Sequence, residues 1–394
     1  MMKKHLLTFL LVSLTGMLVA QPVLQWKYAT RGRVYAKPLI HENRLYIGSL
    51  DSVFYALDKS TGSKIWEFRS DGAIGSSASI SGKLVLFGSA DGNLYALDTN
   101  SGQPVWVFSS GGEKMKDIWD YYLSSPVVSN GVVYWGSGDG HLYAIDADTG
   151  KLKWKFKTGG IVHADPLVTD SVVFIGSFDG TFYALSADKG EEIWKFRTVG
   201  DAYFPDGEIQ KGAIIDQDVI YFGSRDYNVY ALDAKTGRGR WNMKEYGSWI
   251  IASPLSYRGN LYFGTSDTHR FYCLRKSDGR IIWSIPLNMR VYGSAVAHED
   301  IIWFGCFNGK LYGVNYATGK ILYEFATDGC KTNYSSVYQE NSEFRSNFEL
   351  YGKDYLESEK KIHSLGSILS TPVIENDRIY FGSSDGKVYA LKLK

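Results

Sequence analysis

The 394-residue sequence has only three cysteines, Cys273, Cys306 and Cys330. An odd number this small cannot staple a chain of such length, so its core has to hold the fold. No two of them are adjacent, and no Cys-x-x-Cys-His haem-attachment run occurs. Charge of either sign is also lacking in excess: 43 Lys and Arg against 42 Asp and Glu leave a formal net charge of +1, with no basic block or acidic tail. Electrostatic capture of nucleic acid or of an anionic membrane therefore has no basis. The histidines beyond residue 20, His41, His141, His163, His269, His298 and His363, lack metal-ligand spacing, and no phosphate-binding glycine loop is present. Prolines number only nine and no low-complexity stretch interrupts the chain. What is abundant is apolar and aromatic surface, 44% hydrophobic and 15% aromatic residues, ample for a large core.

Residues 1–20 read as a secretory signal: Lys3, Lys4 and His5 precede an apolar stretch from Leu6 to Val19, and Ala20 is a small residue before Gln21. The mature chain is expected to start at Gln21 and to be periplasmic or secreted. The apolar stretch is short for a membrane span, nothing resembling a stop-transfer segment follows, and no cysteine near the cleavage point offers lipid attachment.

Internal repetition dominates the rest. The frame Gly-Ser-x-Asp-Gly-x-Leu-Tyr-Ala-Leu-Asp-x-x-Thr-Gly-x-x-x-Trp-x-Phe recurs from Gly48, Gly88, Gly136, Gly176, Gly223, Gly264, Gly305 and Gly382. The steps are 40, 48, 40, 47, 41, 41 and 77 residues, a unit of about forty with insertions. Each unit holds four β-branched or aromatic runs bounded by turn residues, which predicts an antiparallel meander of strands A to D. The Asp-Gly pairs, such as Asp91-Gly92, suit two-residue hairpins, Thr-Gly pairs such as Thr61-Gly62 mark the next turn, and Asn130-Gly131 joins strands A and B. The chain ends at Lys394 with strands A to C of an eighth unit but no D strand, whereas Leu24-Gln25-Trp26-Lys27-Tyr28 is a D strand with nothing before it. A closed ring uses such a split to join its ends and remove its edges. The expectation is one eight-bladed β-propeller over 21–394, an all-β fold closed by its N-terminal strand.

The segment Ala-x-Asp-x-x-Thr-Gly-x-x-x-Trp, present at Ala56–Trp66, Ala96–Trp106 (Ser101 for Thr), Ala144–Trp154 and Ala231–Trp241, resembles the tryptophan-docking frame of the pyrroloquinoline-quinone-type repeat family. That family holds quinoprotein alcohol dehydrogenases as well as the outer-membrane assembly factor BamB, and the resemblance spans essentially all of the mature chain. It implies structural, inter-blade roles for Trp26, Trp66, Trp106, Trp154, Trp194, Trp241 and Trp283, each wedged between blades with its N–H on a backbone acceptor; Tyr323 takes that place in blade seven. The acidic run Asp146, Asp148, Gly150 resembles a cation loop, but Lys151 and Lys157 stand where an EF-hand needs Gly and Glu, so turn chemistry is the expected role. The family's methanol-type enzymes place two adjacent cysteines over the quinone and hold calcium with a Glu, Asn, Asp set beside a catalytic Asp. Without that cysteine pair no catalytic residue, metal or cofactor is expected here, a bound quinone being the minority alternative. Cys306 and Cys273 replace the frame's Ser and Ala and are read as small core residues, with a Cys306–Cys330 bridge left open.

The departures from the period are three insertions, 111–123, 199–212 and 328–367, all between strand D of one blade and strand A of the next. Those connections share a face with the B-to-C turns. The face carries Arg33, Tyr35, Trp119, Tyr122, His163, Tyr203, Trp249, Arg290 and Tyr292, the aromatic and arginine mixture found at interface centres and on sugar-stacking surfaces. Plugging of the central funnel by the same side chains stands as the alternative. Residues 343–362 have the spacing of a short helix, serving as a lid or a docking arm. The expected function is a non-catalytic, monomeric scaffold of the bacterial envelope that binds a protein partner, with a quinone-dependent dehydrogenase or a glycan-binding propeller as alternatives.

Overall fold

The computed structural model describes residues 21–393; the proposed signal at 1–20 lies outside them. Eight four-stranded antiparallel sheets are arranged as blades, seven of them in simple A-B-C-D order. The eighth combines Val373–Glu375, Arg378–Ser383 and Lys387–Lys392 with the N-terminal strand Val23–Ala29, paired antiparallel from Val23 opposite Lys392 to Ala29 opposite Lys387. The ring is thus closed by hydrogen bonds between the two ends of the described chain, as the split repeat implied. Short A strands of neighbouring blades approach one another around the axis, blade one against blade eight included. The D strands are outermost and half exposed.

Strands B and C are buried on both faces because each blade is covered by its neighbours. A C-strand ring of one blade stacks on a B-strand ring of the next, as in Phe54 on Phe87 (4.0 Å between centroids), Phe182 on Phe222 (4.5 Å) and Phe271 on Phe304 (3.8 Å). Complete burial of one such ring contributes about 2–3 kcal/mol.

Seven tryptophans make the same contact between blades. Each indole Nε1 donates to a carbonyl in the C-to-D turn of the following blade: Trp26 to Lys59, Trp66 to Thr99, Trp106 to Ala147, Trp154 to Ala187, Trp194 to Ala234, Trp241 to Lys276 and Trp283 to Tyr316, all at 3.0–3.2 Å. The glycine of that turn lies flat under the ring. At Gly102, where φ is +70°, an added Cβ would come within 2.6 Å of Trp66, so glycine is needed for both conformation and space. Blade eight has no C-to-D turn, because its C and D strands come from opposite chain ends. Blade seven therefore has no carbonyl to reach, and Tyr323 stacks on Trp303 instead, at 5.1 Å and 25°.

Two local expectations need correction. The Asp-Gly turns are four-residue connections, as in Ser89–Gly92, where Gly92 alone has positive φ; the aspartate serves as acceptor, Asp91 taking the N–H of Asn93 and the hydroxyl of Tyr95. The two-residue hairpin occurs at Asn130-Gly131, where both φ are positive. In segment 343–362 only the later part is helical, helix α2 spanning Tyr355–Ser364, while an unexpected short helix α1, Asp328–Asn333, opens the third insertion. A further feature had no sequence signal: every C–D pair is bulged one residue before the tryptophan or Tyr323 position. Cys273, Cys306 and Cys330 are buried free thiols, so no Cys306–Cys330 bridge forms.

Candidate functional site

The three insertions meet on one face and cover the mouth of the ring. Tyr121, from the connection between blades two and three, packs on Tyr292 and Phe307 from the opposite side of the ring (6.1 and 6.0 Å), on Tyr35 (5.6 Å) and on His363 of α2 (5.5 Å). A side chain touching both sides in this way lies across the axis. Its neighbour Tyr122 donates to the carbonyl of Leu369 at 2.9 Å and carries the ammonium of Lys211 on its ring at 3.9 Å.

Beneath this aromatic cap sit three ionic groups, each with at least one buried member and each joining loops from different blades. Glu359 of α2 takes Nη1 of Arg290 at 2.6 Å, Nε1 of Trp119 at 3.3 Å and the hydroxyl of Tyr121 at 3.1 Å. The Nε and Nη2 of Arg290 are buried without a partner. Arg225 forms a fork on Asp117 (2.5 and 3.3 Å), donates to Oε1 of Gln210 and lies 4.4 Å from the ring centre of Trp249. His163 is held between Asp120 on Nδ1 and Glu113 on Nε2, each at 3.0 Å. Burial opposes its charge, but the two carboxylates outweigh burial and raise its pKa to about 9, so it is an imidazolium at neutral pH. His363 shows the opposite outcome: burial, with Arg33 and Arg290 nearby, pushes it down to about 3.

Of the residues singled out in the sequence, Tyr35, Tyr122, His163, Trp249, Arg290 and Tyr292 are buried within the cap, where they act as its packing and its ion pairs. Trp119 and Arg33 are half-buried, and Tyr203 alone stands out, 82% exposed. Two of the clefts that the cap leaves are lined by several of these residues. One, of about 750 Å³, lies over blades five and six between Trp119, Phe204, Trp249 and Tyr351; the other, of about 420 Å³, lies between Arg33, Tyr35, Met115 and Tyr121 over blades one and two. Trp249 presents no open stacking platform, being 92% buried with a guanidinium against its ring.

Glu359, Arg225 and Asp120 were not anticipated. Arg225 did carry a signal: it fills the x position of Gly-Ser-x-Asp, which in the other blades holds Leu50, Ala90, Gly138, Phe178, Ser266, Phe307 and Ser384. One charge in an otherwise uncharged column marks a place where the ring faces something polar. The residues of the acidic run are turn elements: Asp146 accepts the backbone N–H and the hydroxyl of Thr149 at 2.9 and 2.7 Å.

A quinone with its calcium would need a cysteine pair, an open axis and a cluster of ligands. No two cysteines are adjacent and all three are free thiols, the axis over the ring is filled by Tyr121 and its partners, and among the described residues no group of three or more His, Cys, Asp or Glu side chains could hold a metal. These residues do not fit that cofactor.

A family model described as outer membrane protein assembly factor BamB matches residues 20–119, 113–243 and 204–344. Among solved structures the chain is similar to BamB from Moraxella catarrhalis, with 18% identity and TM-score 0.72 over 94% of this chain and 100% of that one. It is also similar to quinohemoprotein alcohol dehydrogenase from Comamonas testosteroni (15%, TM-score 0.73, covering 94% and 76%) and to a europium-containing methanol dehydrogenase (13%, TM-score 0.71, covering 94% and 93%). No curated protein matches. Structural likeness at such identities shows the fold alone.

Proposed function

The chain belongs to the BamB-like family of quinone-type repeat propellers, and from that membership we propose that it is an exported, non-catalytic scaffold that binds protein in the bacterial cell envelope, with the capped face as its working surface. One observation carries this reading. Among the described residues, apart from those on the outer D strands, the exposed large apolar side chains are Met115, Ile118, Val199, Tyr203, Tyr246, Tyr351, Tyr355 and Leu356, and all lie in D-to-A connections on that face. Exposed apolar groups gathered on one side and rimmed by polar residues are what a protein interface offers. The buried ion pairs beneath them fix the loops, so a partner meets a surface already formed.

The filled axis supports the non-catalytic half of the reading. Chemical crosslinking in intact cells followed by co-purification tests the binding half. Crosslinks are expected at Lys114, Lys116 and Lys360 on the cap; crosslinks confined to Lys83, Lys189 and Lys235, in the turns of the opposite face, would overturn the assignment. Reconstitution with the quinone and calcium should leave dye reduction at background, and a robust alcohol-dependent signal would restore the dehydrogenase reading.

A further inference from the structure

The B-to-C turn of blade six breaks a rule kept elsewhere. In six blades the aspartate of Gly-Ser-x-Asp accepts the hydroxyl of the tyrosine four residues on, at 2.5–2.8 Å: Tyr55 to Asp51, Tyr95 to Asp91, Tyr143 to Asp139, Tyr183 to Asp179, Tyr230 to Asp226 and Tyr389 to Asp385. Blade seven has Asn308, which donates to Tyr312. Blade six carries one extra residue in the turn, so its tyrosine, Tyr272, falls five positions after Asp267 and donates to Glu245 at 3.3 Å. Asp267 is thereby released from its own sheet. It is exposed, forms no ion pair, and takes its one side-chain hydrogen bond from Tyr351 of the third insertion.

The released carboxylate lines the 750 Å³ cleft, whose walls include Trp119, Tyr203, Phe204, Tyr227, Trp249 and Tyr351. The charged residues of its lining are Asp117 and Asp267, with no lysine or arginine. Of the nearby cations, Arg225 pairs with Asp117 and Arg290 with Glu359; their guanidinium groups already lie on the rings of Trp249 and Tyr351, at 4.4 and 5.2 Å, which leaves Trp119, Tyr203, Phe204 and Tyr227 as the wall rings that carry no cation. His269, in the same turn, is uncharged, since burial and then Arg290 lower its pKa to about 4. One negative charge therefore faces an aromatic enclosure without a counterion.

We propose that this cleft binds a quaternary ammonium group of the trimethylammonium type. Aromatic faces attract a soft cation through their quadrupoles, and Asp267 supplies the countercharge. A guanidinium or primary ammonium would bring three to five N–H donors, yet the cleft has one free carboxylate to receive them, since Asp117 is taken by Arg225 and Ser266 is bonded to Tyr292. A methylated ammonium has no donors to satisfy. The volume admits the head group together with a tail.

The test is titration of the mature protein with choline, followed by calorimetry and by saturation transfer to the trimethylammonium protons. The neutral isostere 3,3-dimethylbutanol and N-acetylarginine amide serve as comparators. Choline is expected to bind at least about tenfold more tightly than the isostere, and Asp267→Asn to weaken it about tenfold. Tyr203→Ala, at an exposed ring outside the core, should weaken it without moving the melting temperature. No choline binding, equal binding of the isostere, indifference to Asp267→Asn, or displacement of choline by the arginine amide would each overturn the proposal. Vesicles of phosphatidylcholine separate the two sources of this chemistry: co-sedimentation lost in Asp267→Asn assigns a lipid head group, and choline binding without co-sedimentation assigns a free solute.

Discussion

The two faces of the ring are built from the same repeat and obey different rules. On the face of the A-to-B and C-to-D turns the aspartates that recur at the end of strand C are satisfied within a few residues: Asp58 takes the N–H groups of Ser60 and Thr61, Asp98 that of Ser101, and Asp233 that of Thr236. On the capped face the partners lie far apart in the chain, Asp117 with Arg225 and Glu359 with Tyr121, and one member of each pair, Arg225 or Glu359, is buried. Repetition yields turns whose recurring carboxylates are bonded locally and left partly in solvent. Interruption of the period brings loops from opposite blades together, and there charge can be buried because a partner from elsewhere meets it.

The sharpest way to break this comparison is Glu359→Ala. It leaves Arg290 buried with no carboxylate, strands the indole N–H of Trp119 and frees the hydroxyl of Tyr121. A loss of about 3–5 kcal/mol is expected in chemical denaturation. The double variant Glu359→Leu with Arg290→Leu should recover much of it, because the uncompensated charge rather than the missing contact carries the cost. If Glu359→Ala is nearly neutral, the cap is not held by buried ion pairs.

The repeated part has its own strongest element. Trp106→Ala opens a void between blades two and three and orphans the carbonyl of Ala147, so about 3 kcal/mol should be lost. Tyr323→Ala, at the one boundary without a docking turn, should cost less, since it breaks no such hydrogen bond. Thermal melting of the two variants side by side checks this; equal losses would mean that the docking bond adds nothing to packing.

These elements also mark how far the sequence could be read. Blade number, closure and the seven docking tryptophans were legible because each is stated eight or seven times over in one register, and even Tyr323 was visible as the exception. The face that carries the insertions followed from strand parity. What stayed hidden was which side chains of that face would be swallowed by it. Trp249 and Tyr292 are aromatic in the sequence whether they stack on a partner or on Arg225 and Phe307, and no periodicity announces a pair such as Trp119 and Glu359. Arg225, one charge in a column of uncharged residues, was the exception that a register table exposes.

The faces should also part company in pH. His163 is raised to about 9 in the folded state, above its ordinary value of 6.5. Its contribution, on the order of 2–3 kcal/mol, is therefore complete below about pH 6.5 and disappears as pH rises through about 9. Denaturation midpoints measured from pH 6 to 10 should fall for the native chain and stay flatter for His163→Gln, which begins less stable at pH 6. Parallel curves would show that the charged clamp of Asp120 and Glu113 does not hold the first insertion.

The smallest effect is expected where the repeat is purest. Asp98 anchors its turn through the N–H groups of Asn100 and Ser101 and the hydroxyl of Ser101, and those bonds, the Ser101 amide first, lower its pKa. Because its folded pKa lies below the ordinary carboxylate range, the linked stability is present at neutral pH and is lost as pH falls, the opposite sense to His163. Solvent screens the site and the turn keeps its glycine, so Asp98→Ala should cost about 1 kcal/mol at neutral pH, measured by chemical denaturation, with the difference from the native chain shrinking in acid. A loss comparable to that of Glu359→Ala would mean that a solvated, local turn can carry as much of the ring as a buried pair drawn from different blades, and the distinction between the two faces would fail.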